Sequence, residues 1–290
     1  MKAEATSIYD YFGEVYTSFQ KSGVQNPLLE TQNLFDLLSG GMSTSIDVRT
    51  LEHGNVNFND LVKKRTEKIP LEYIIGMASF MGRIFCCHPG TFIPKKQTEI
   101  LCKVAIEYIK REKKFLNRLN IIDMCTGCGN IAITLALNLG DSTIYGLDID
   151  PAAIETAKTN VDMYGLGEKV ILSCGDLFTP LKNLEYEEKI DCVVCNPPYI
   201  PTGSLRKLSP EIIDHEPRIA LDGGPYGISF YRRLIHDTLS ILKPKGLLIM
   251  EIGRGQEELV ARMLKGKKHY ENIQYHGEGK EIRVVSAVKK

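Results

Sequence analysis

The amino-acid sequence predicts an α/β fold. It predicts a Rossmann-like domain with a seven-stranded sheet and an antiparallel C-terminal edge, preceded by a small all-helical domain and a β-hairpin linker. Two observations support this. Apolar residues recur with helical spacing over about the first seventy positions, whereas strand-like runs alternate with helical segments after Pro94. Several of these runs are apolar almost throughout, as in parallel strands that are covered on both faces.

Three helices are predicted in the N-terminal part from apolar spacing and from the residues that bound them. They begin near Ser7, Pro27 and Asn59, and they end at Ser22-Gly23, Gly40-Gly41 and Lys68. One cationic run is interpreted as a solvated helix face; it consists of Lys63, Lys64, Arg65 and Lys68. We predict a helical domain over residues 1–72, a hairpin linker over 73–94 and the α/β domain over 95–290.

Five strands are predicted in the α/β domain, followed by a C-terminal hairpin. The strands are Asn120–Met124, Thr143–Asp148, Val170–Ser173, Ile190–Cys195 and Leu247–Ile252. The last two runs, Ile273–His276 and Ile282–Val288, have only a short connection between them, which indicates an antiparallel hairpin at the sheet edge. Ligands of open α/β sheets bind at the carboxyl ends of the strands, so polar residues there are the site candidates.

The composition limits the classes of function. The chain has 290 residues, 43% hydrophobic and 25% charged, and its 36 basic and 36 acidic residues cancel. This balance argues against direct nucleic-acid binding, which needs a cationic surface. The N-terminus is typical of neither a secretory signal nor a transit peptide, and no run reaches the ~18 apolar residues of a membrane span. We expect a cytoplasmic monomer with no membrane partner.

A glycine turn follows the first strand of the α/β domain, in the stretch IIDMCTGCGNIAI (Ile121–Ile133). Gly127 and Gly129 let the backbone turn tightly against a ligand. Asp148 ends the next strand, about twenty residues on, where a carboxylate can accept both hydroxyls of a ribose. Asp176 follows the third strand and is a candidate acceptor for an exocyclic amine. The turn lacks the dinucleotide and phosphate-loop spacings, so on its own a tight packing turn stays open.

The fourth strand ends in Asn196-Pro197-Pro198-Tyr199. The two prolines make a rigid, extended turn with two acceptors for one NH2 group, the Asn196 side-chain oxygen and the Pro197 carbonyl. Tyr199 supplies a flat face beside them. Such acceptors can stabilise the positive charge that grows on a planar nitrogen as it attacks an electrophile. The alternative, that Pro-Pro only ends a buried strand, explains neither the asparagine nor the tyrosine.

This motif resembles that of S-adenosylmethionine-dependent methyltransferases acting on planar NH2 groups. The sequence around it, NPPYIP followed by LSPEIIDHEPRIALDGGPYGISFYRRLI, resembles the HemK or PrmC family of release-factor glutamine N5-methyltransferases. PLEYIIG (Pro70–Gly76) and MEIGRGQ (Met250–Gln256) also match. The resemblance covers the chain from about Pro70 to the C-terminus and implies a class I methyltransferase domain.

The resemblance implies a role for each matched position. S-adenosylmethionine is the implied cofactor, and its implied binding residues are Asp123, Cys125, Thr126, Gly127, Gly129, Asp148, Ile149, Asp176, Leu177 and Asn196. The implied catalytic residues are Asn196, Pro197 and Tyr199, and these with Pro198 hold the substrate amide. The implied protein substrate is a class 1 peptide-chain release factor, methylated on the glutamine of its Gly-Gly-Gln tripeptide. The segment Glu216–Gly224 is expected to shape the acceptor pocket, with Arg218 pairing with Glu216 or Asp222.

The chain departs from the pattern of this family in two segments. Cys125 replaces a glycine and would cost about 1–2 kcal/mol if that position needs a positive φ. In IPKKQTE (Ile93–Glu99), Lys95 and Gln97 replace an arginine and a glutamate, and lysine lacks the bidentate fork of arginine. These departures leave room for a paralogue that methylates a small metabolite or another peptide with the same chemistry.

Two alternatives lie outside this reading. A zinc-binding or redox protein would use the two Cys-x-x-Cys pairs, Cys125 with Cys128 and Cys192 with Cys195. Against it, Cys192 and Cys195 are three apart on a strand and should point to opposite faces, so no metal site is expected. A DNA amino-methyltransferase would need a target-recognition segment and a cationic cleft, and neither is evident in the sequence.

Overall fold

A computed structural model of the chain describes residues 8–38, 58–112, 118–181, 187–266, 268–279 and 281–290. The chain divides into two compact units. The smaller comprises residues up to Met77 together with Ser209–His215, and the larger comprises Ala78–Leu208 together with Glu216–Lys290. In the described part of the chain, no helix is both long enough and apolar enough to cross a lipid bilayer.

The smaller unit is helical. Its helices are α1 (Ile8–Lys21), α2 (Pro27–Leu38), α3 (Phe58–Thr66), α4 (Leu71–Ile75) and the short α8 (Pro210–Ile213). The three predicted helices are present, although the predicted stop at Gly40-Gly41 lies outside the described residues. A small apolar core holds α1, α2, α3 and α4 together, with Phe19 and Leu34 fully buried.

The cationic run of this unit differs from the prediction of a solvated face. Arg65 is only 1% exposed and forms ion pairs with Glu30 and, at 2.8 Å, with Glu211. The Lys68 ammonium donates to the backbone carbonyls of Ser22 and, at 3.0 Å, Gly23. The interpretation was therefore wrong for both residues, because partners distant in sequence bind their charged ends.

The larger unit is an α/β domain. Its strands are β1 (Met77–Phe80), β2 (Arg83–Cys86), β3 (Leu119–Met124), β4 (Ser142–Asp148), β5 (Val170–Cys174), β6 (Ile190–Cys195), β7 (Leu242–Glu251), β8 (Tyr270–Glu278) and β9 (Glu281–Lys289). Its helices are α5 (Thr98–Glu112), α6 (Asn130–Asn138), α7 (Pro151–Met163), α9 (Arg218–Leu221), α10 (Ser229–Ile241) and α11 (Glu257–Gly266). Short 3-10 helices occupy Thr179–Leu181, Thr202–Lys207 and Pro225–Gly227.

Seven of these strands form one sheet in the order β5-β4-β3-β6-β7-β9-β8, and β1 and β2 form a separate hairpin. The first five strands of the sheet run parallel, while β9 is antiparallel to both β7 and β8. The predicted α/β fold with an antiparallel C-terminal edge is thereby confirmed. Strand β7 begins at Leu242 rather than at the predicted Leu247, because Leu242 pairs with Ile190 ahead of a register shift.

The sheet is buried on both faces, and its two faces carry separate cores. Strand β6 shows this division: Cys192 and Val194 belong to one core, and Val193 and Cys195 to the other. This alternation is the period of two expected of a strand. Because β3 and β6 are adjacent, with Met124 opposite Cys195, the loops that follow these strands lie next to each other.

Candidate active site

The glycine turn joins the ends of strands β3 and β4. The backbone amide of Thr126 donates to the carbonyl of Leu147 at 3.0 Å. The amide of Gly127 donates to Oδ2 of Asp148 at 2.9 Å. The turn needs left-handed backbone at Cys125, Gly127 and Gly129, with φ values of 61°, 56° and 82°. The Cys125 position is thus one where a β-carbon is strained, as the comparison with the family pattern anticipated.

Asp123 supports this turn from inside the sheet. Its Oδ2 accepts hydrogen bonds from the Thr126 hydroxyl at 2.7 Å and from the Ala132 amide at 2.9 Å. Its other oxygen, Oδ1, is buried and has no partner among the described residues. Burial raises the pKa of Asp123 to about 7, against the opposing effect of these two hydrogen bonds. The site therefore contains a buried polar atom that is available to a ligand.

Sequence analysis missed Gly146, which lies in β4 under the turn. A β-carbon there would stand 2.7 Å from Cδ2 of Leu172 and 3.0 Å from Oγ1 of Thr126. Only glycine lets the Thr126 side chain pack this closely against the strand. The signal that could have revealed it is a glycine inside an otherwise apolar strand, which often marks a close approach.

The carboxylate of Asp148 is held on both oxygens. Besides the bond from Gly127, its Oδ1 accepts from the backbone amide of Asp150 at 3.0 Å. Burial raises the pKa of this carboxyl, and the two backbone hydrogen bonds oppose that rise. The next residue, Ile149, leaves 49% of its surface exposed, which is unusual for an isoleucine beside a buried strand. The strand end thus presents a fixed carboxylate beside an open apolar surface.

Asp176 lies just after the third parallel strand, β5. The end of β5 is hydrogen-bonded to the end of β4, because the Gly175 amide donates to the Asp148 carbonyl at 2.8 Å. Oδ2 of Asp176 forms an ion pair with Arg233 at 2.5 Å, and both side chains are about half exposed. Leu177, the next residue, is buried with a φ of 49°. Arg233, on α10, was not among the predicted site residues, and no sequence pattern marks it.

The Asn-Pro-Pro-Tyr turn follows strand β6. The Nδ2 atom of Asn196 donates to Oγ1 of Thr98 at 3.2 Å, which leaves Oδ1 as the end of this amide that can accept from a ligand. The Tyr199 hydroxyl donates to Oε1 of Glu251 at 3.2 Å. Neither Thr98 nor Glu251 was singled out from the sequence. Their role emerges only from the fold, which brings α5 and the end of β7 behind the motif.

The backbone of the motif is braced by the segment that contains Gly223 and Gly227. The Gly223 amide donates to the Ile200 carbonyl at 2.9 Å. A β-carbon on Gly227 would stand only 2.1 Å from the carbonyl oxygen of Tyr199. Nε2 of Gln256 donates to the same carbonyl at 2.9 Å. The motif is therefore a rigid platform rather than a mobile loop end.

The departures at Lys95 and Gln97 have structural explanations. The Lys95 ammonium pairs with Oε1 of the buried Glu216 at 2.7 Å, which ties the segment before α5 to the loop after the motif. Gln97 lies near the Tyr199 hydroxyl and opposes the rise in its pKa that burial causes. Arg218 pairs with Asp222 at 3.4 Å, one of the two pairings predicted for it. Lys95 thus has an ion-pair partner at this position.

The cysteines form no obvious metal site. In the part of the chain that the structure describes, no group of three or more His, Cys, Asp or Glu side chains could hold a metal ion. Cys192 and Cys195 lie in the separate cores of the two sheet faces, as the strand period predicted. The pKa of the Cys125 thiol is raised: its hydrogen bond with Cys195 opposes the rise, while burial and the Asp148 carboxylate cause it.

Comparisons with known proteins agree with this architecture. A family model described as RNA cap guanine-N2 methyltransferase matches residues 118–205. The solved structure of the METTL16 methyltransferase domain is similar with a TM-score of 0.53 and 17% identity, and the match covers 98% of this chain and 92% of that one. At this identity the similarity shows the fold alone. The fold and the strand-end site together define a class I methyltransferase.

Curated relatives identify the family. The release factor glutamine methyltransferase of Moorella thermoacetica is 34% identical over 266 residues, which cover 90% of this chain and 91% of the relative. That of Bacillus anthracis is 40% identical over 209 residues, 72% of each chain. The chain belongs to the release factor glutamine methyltransferase family, which confirms the resemblance seen in the sequence.

Proposed function

We propose that this protein transfers a methyl group from S-adenosylmethionine to the side-chain amide nitrogen of a glutamine. The substrate we propose is the glutamine of the Gly-Gly-Gln tripeptide in a class 1 peptide-chain release factor. The single observation that carries the proposal is the orientation of Asn196, whose amide nitrogen bonds Thr98 so that Oδ1 is left for a substrate NH2 group. The names of the curated relatives support the choice of substrate.

The residues at the three strand ends fit the proposed cofactor. Asp148 offers a carboxylate to the ribose hydroxyls, and the exposed Ile149 offers an apolar surface to the adenine. Asp123 keeps one buried oxygen without a partner, and a β-carbon built on Gly127 meets no atom within 4 Å. Asp176 and Leu177 stand at the third strand end, with Thr126, Gly129 and Cys125 shaping the turn. S-adenosylmethionine would supply an electrophilic methyl group there.

The acceptor side provides what a poorly nucleophilic amide nitrogen needs. Oδ1 of Asn196 and the carbonyl of Pro197 accept the two hydrogens of the glutamine NH2 group. As the nitrogen attacks, positive charge grows on it, and two fixed acceptors stabilise this charge without reorganising. Pro198 keeps the turn extended, and Tyr199 provides a flat surface beside the amide. The proton is lost to solvent after transfer, so no general base is required at the start.

The test is a comparison of acceptors in the presence of labelled S-adenosylmethionine. We expect the label on purified class 1 release factor and none on a release factor whose Gly-Gly-Gln glutamine is replaced by alanine. A low-molecular-weight cell extract is the matched test of the metabolite paralogue. Label in the extract and none on the release factor would replace this proposal with that alternative.

A further inference from the structure

A buried carboxylate lies directly behind the Asn-Pro-Pro-Tyr turn. Glu251 ends strand β7 and is 1% exposed. Its Oε1 accepts from the Tyr199 hydroxyl at 3.2 Å, and its Oε2 is buried without a well-formed hydrogen bond in the described residues. Burying an ionisable group with so little compensation is unfavourable. A hydrophobic residue would make a better strand end, so the carboxylate calls for an explanation beyond packing.

The groups that face Glu251 come from every element packed against it. Arg283, on β9, contributes positive charge while its guanidinium pairs with Glu281 at 2.9 Å. Cys102, on α5, is a buried thiol within electrostatic range, and the Tyr231 hydroxyl of α10 donates to the Glu251 backbone carbonyl at 3.1 Å. Two side chains beside the carboxylate reach the acceptor site: Tyr199 belongs to the motif, and Thr98 accepts from Asn196.

The Thr98 side chain connects Glu251 to Asn196. The Thr98 oxygen accepts from the Asn196 amide nitrogen at 3.2 Å, so its own hydroxyl hydrogen is free to point elsewhere. The Thr98 hydroxyl lies near Glu251, where it lowers the pKa of the carboxyl against the larger rise that burial causes. A carboxylate can only accept hydrogen bonds. It therefore fixes the donor direction of the hydrogen bonds that run from Asn196 through Thr98 to Glu251. Asn196 then donates away from the site and presents Oδ1 toward it.

We propose that Glu251 is a positioning residue that acts through Thr98 to hold the Asn196 side-chain oxygen toward the substrate amide. The inference rests on the proposed function, because it concerns the same acceptor site. A neutral donor at position 251 would allow the opposite polarity. Thr98 could then donate to a rotated Asn196 amide, whose NH2 group would face the NH2 group of the substrate and repel it.

The matched pair Thr98→Val and Thr98→Ser tests this connection. Valine has the shape of threonine without its hydroxyl, whereas serine keeps the hydroxyl. We expect Thr98→Val to lower kcat by about 10²-fold, the scale for loss of one preorganised polar contact, and Thr98→Ser to restore most of that loss. The affinity for S-adenosylmethionine, measured by calorimetry, should stay within about twofold in both, because the turn that holds the cofactor is unchanged.

Glu251→Gln tests the charge itself. The kcat of the wild type relative to that of the variant should rise through pH 7, where Glu251 ionises, to about 10²-fold at pH 8. The titration of Asp123 cancels in this ratio. Should this variant fail to fold, the Thr98 pair decides. A wild-type kcat in Thr98→Val would overturn the positioning role. A ratio of wild-type to Glu251→Gln kcat that stays constant through pH 7 would also overturn it. A wild type that methylates no glutamine would instead contradict the proposed function.

Discussion

The backbone amide of Gly127 donates to the carboxylate of Asp148 at 2.9 Å, which joins the glycine turn of one strand to the end of its neighbour. The two residues are 21 positions apart in the chain. The bond orients the carboxylate and, at the same time, stabilises the left-handed turn. Because the second oxygen of Asp148 is also bonded to backbone, the group has little freedom to rotate. A ligand that binds here therefore meets a preorganised acceptor.

The first prediction concerns this carboxylate. Asp148→Asn keeps the shape of the side chain but removes its charge, so we expect the Kd for S-adenosylmethionine to rise by roughly tenfold to a hundredfold, as for the loss of a hydrogen bond to a charged group. Calorimetry of the purified variant measures this. Asp162→Asn, at an exposed position on α7, is the matched control. Equal affinities for the two variants would rule out a ribose-binding role for Asp148.

The second prediction concerns the acceptor. Asn196→Ala removes the side-chain oxygen that we propose accepts from the substrate amide, and we expect kcat to fall by ~10²–10³. Steady-state methyl transfer to the release factor measures it. Asn138→Ala, on helix α6, removes an amide whose one hydrogen bond within the described part of the chain is to the Thr134 carbonyl, and it serves as the control. Near wild-type turnover in Asn196→Ala would refute the proposed mechanism.

The third prediction concerns Cys125, whose φ of 61° is strained for any residue with a β-carbon. Cys125→Gly should relieve this strain, whereas Cys125→Ala should retain it. We expect the glycine variant to be more stable than the alanine variant by about 1 kcal/mol. Urea denaturation of both, with S-adenosylmethionine calorimetry alongside, separates backbone strain from loss of the contact with Cys195. An alanine variant as stable as the glycine variant would show that the turn bears no strain.

The fourth prediction follows from the buried carboxyl of Glu251. Burial raises its pKa from 4.5 to about 7, so the folded state binds more protons than the unfolded state between these values. The free energy of unfolding of the wild type should therefore fall as pH rises through this range. Glu251→Gln does not titrate, and its stability relative to the wild type should increase by up to about 3 kcal/mol between pH 5 and pH 8.

Denaturation of the wild type and of Glu251→Gln at each pH measures the difference between their free energies of unfolding. The titration of Asp123 cancels in this difference because both proteins contain Asp123. A constant difference across the range would mean that Glu251 is not perturbed by burial. Together with the loss of kcat expected for the same variant, a gain in stability would show that the carboxylate is kept at the expense of folding energy.

Much of the fold was predictable because its signals are local. The apolar runs of the parallel strands, the two-residue alternation of β6 and the short connection of the C-terminal hairpin each depend on a few neighbouring residues. The same holds for the candidate site, since the glycine turn, Asp148 and the Asn-Pro-Pro-Tyr motif follow their strands directly. A site residue that directly follows a strand lies at the end of that strand in the fold. Its position can therefore be predicted once the strand is predicted.

What could not be predicted depends on contacts between distant segments. Thr98 and Glu251 reach the motif from a helix and a strand that are far from it in the chain. Arg65 looked like part of a solvated face, because nothing in its own helix shows that Glu30 and Glu211 surround it. Gly146 differs in kind, since its constraint is the space occupied by Thr126 rather than a backbone angle. Local patterns carry no information on the partners of Thr98, Glu251 and Arg65.

The most direct test of the central claim is to locate the transferred methyl group. Full-length release factor is incubated with this protein and S-adenosylmethionine, digested, and sequenced by fragment mass. The account predicts one added methyl group on the side-chain amide of the Gly-Gly-Gln glutamine, absent when Asn196→Ala replaces the wild type. A methyl group on any other residue, or an unmodified glutamine after prolonged incubation, would contradict it.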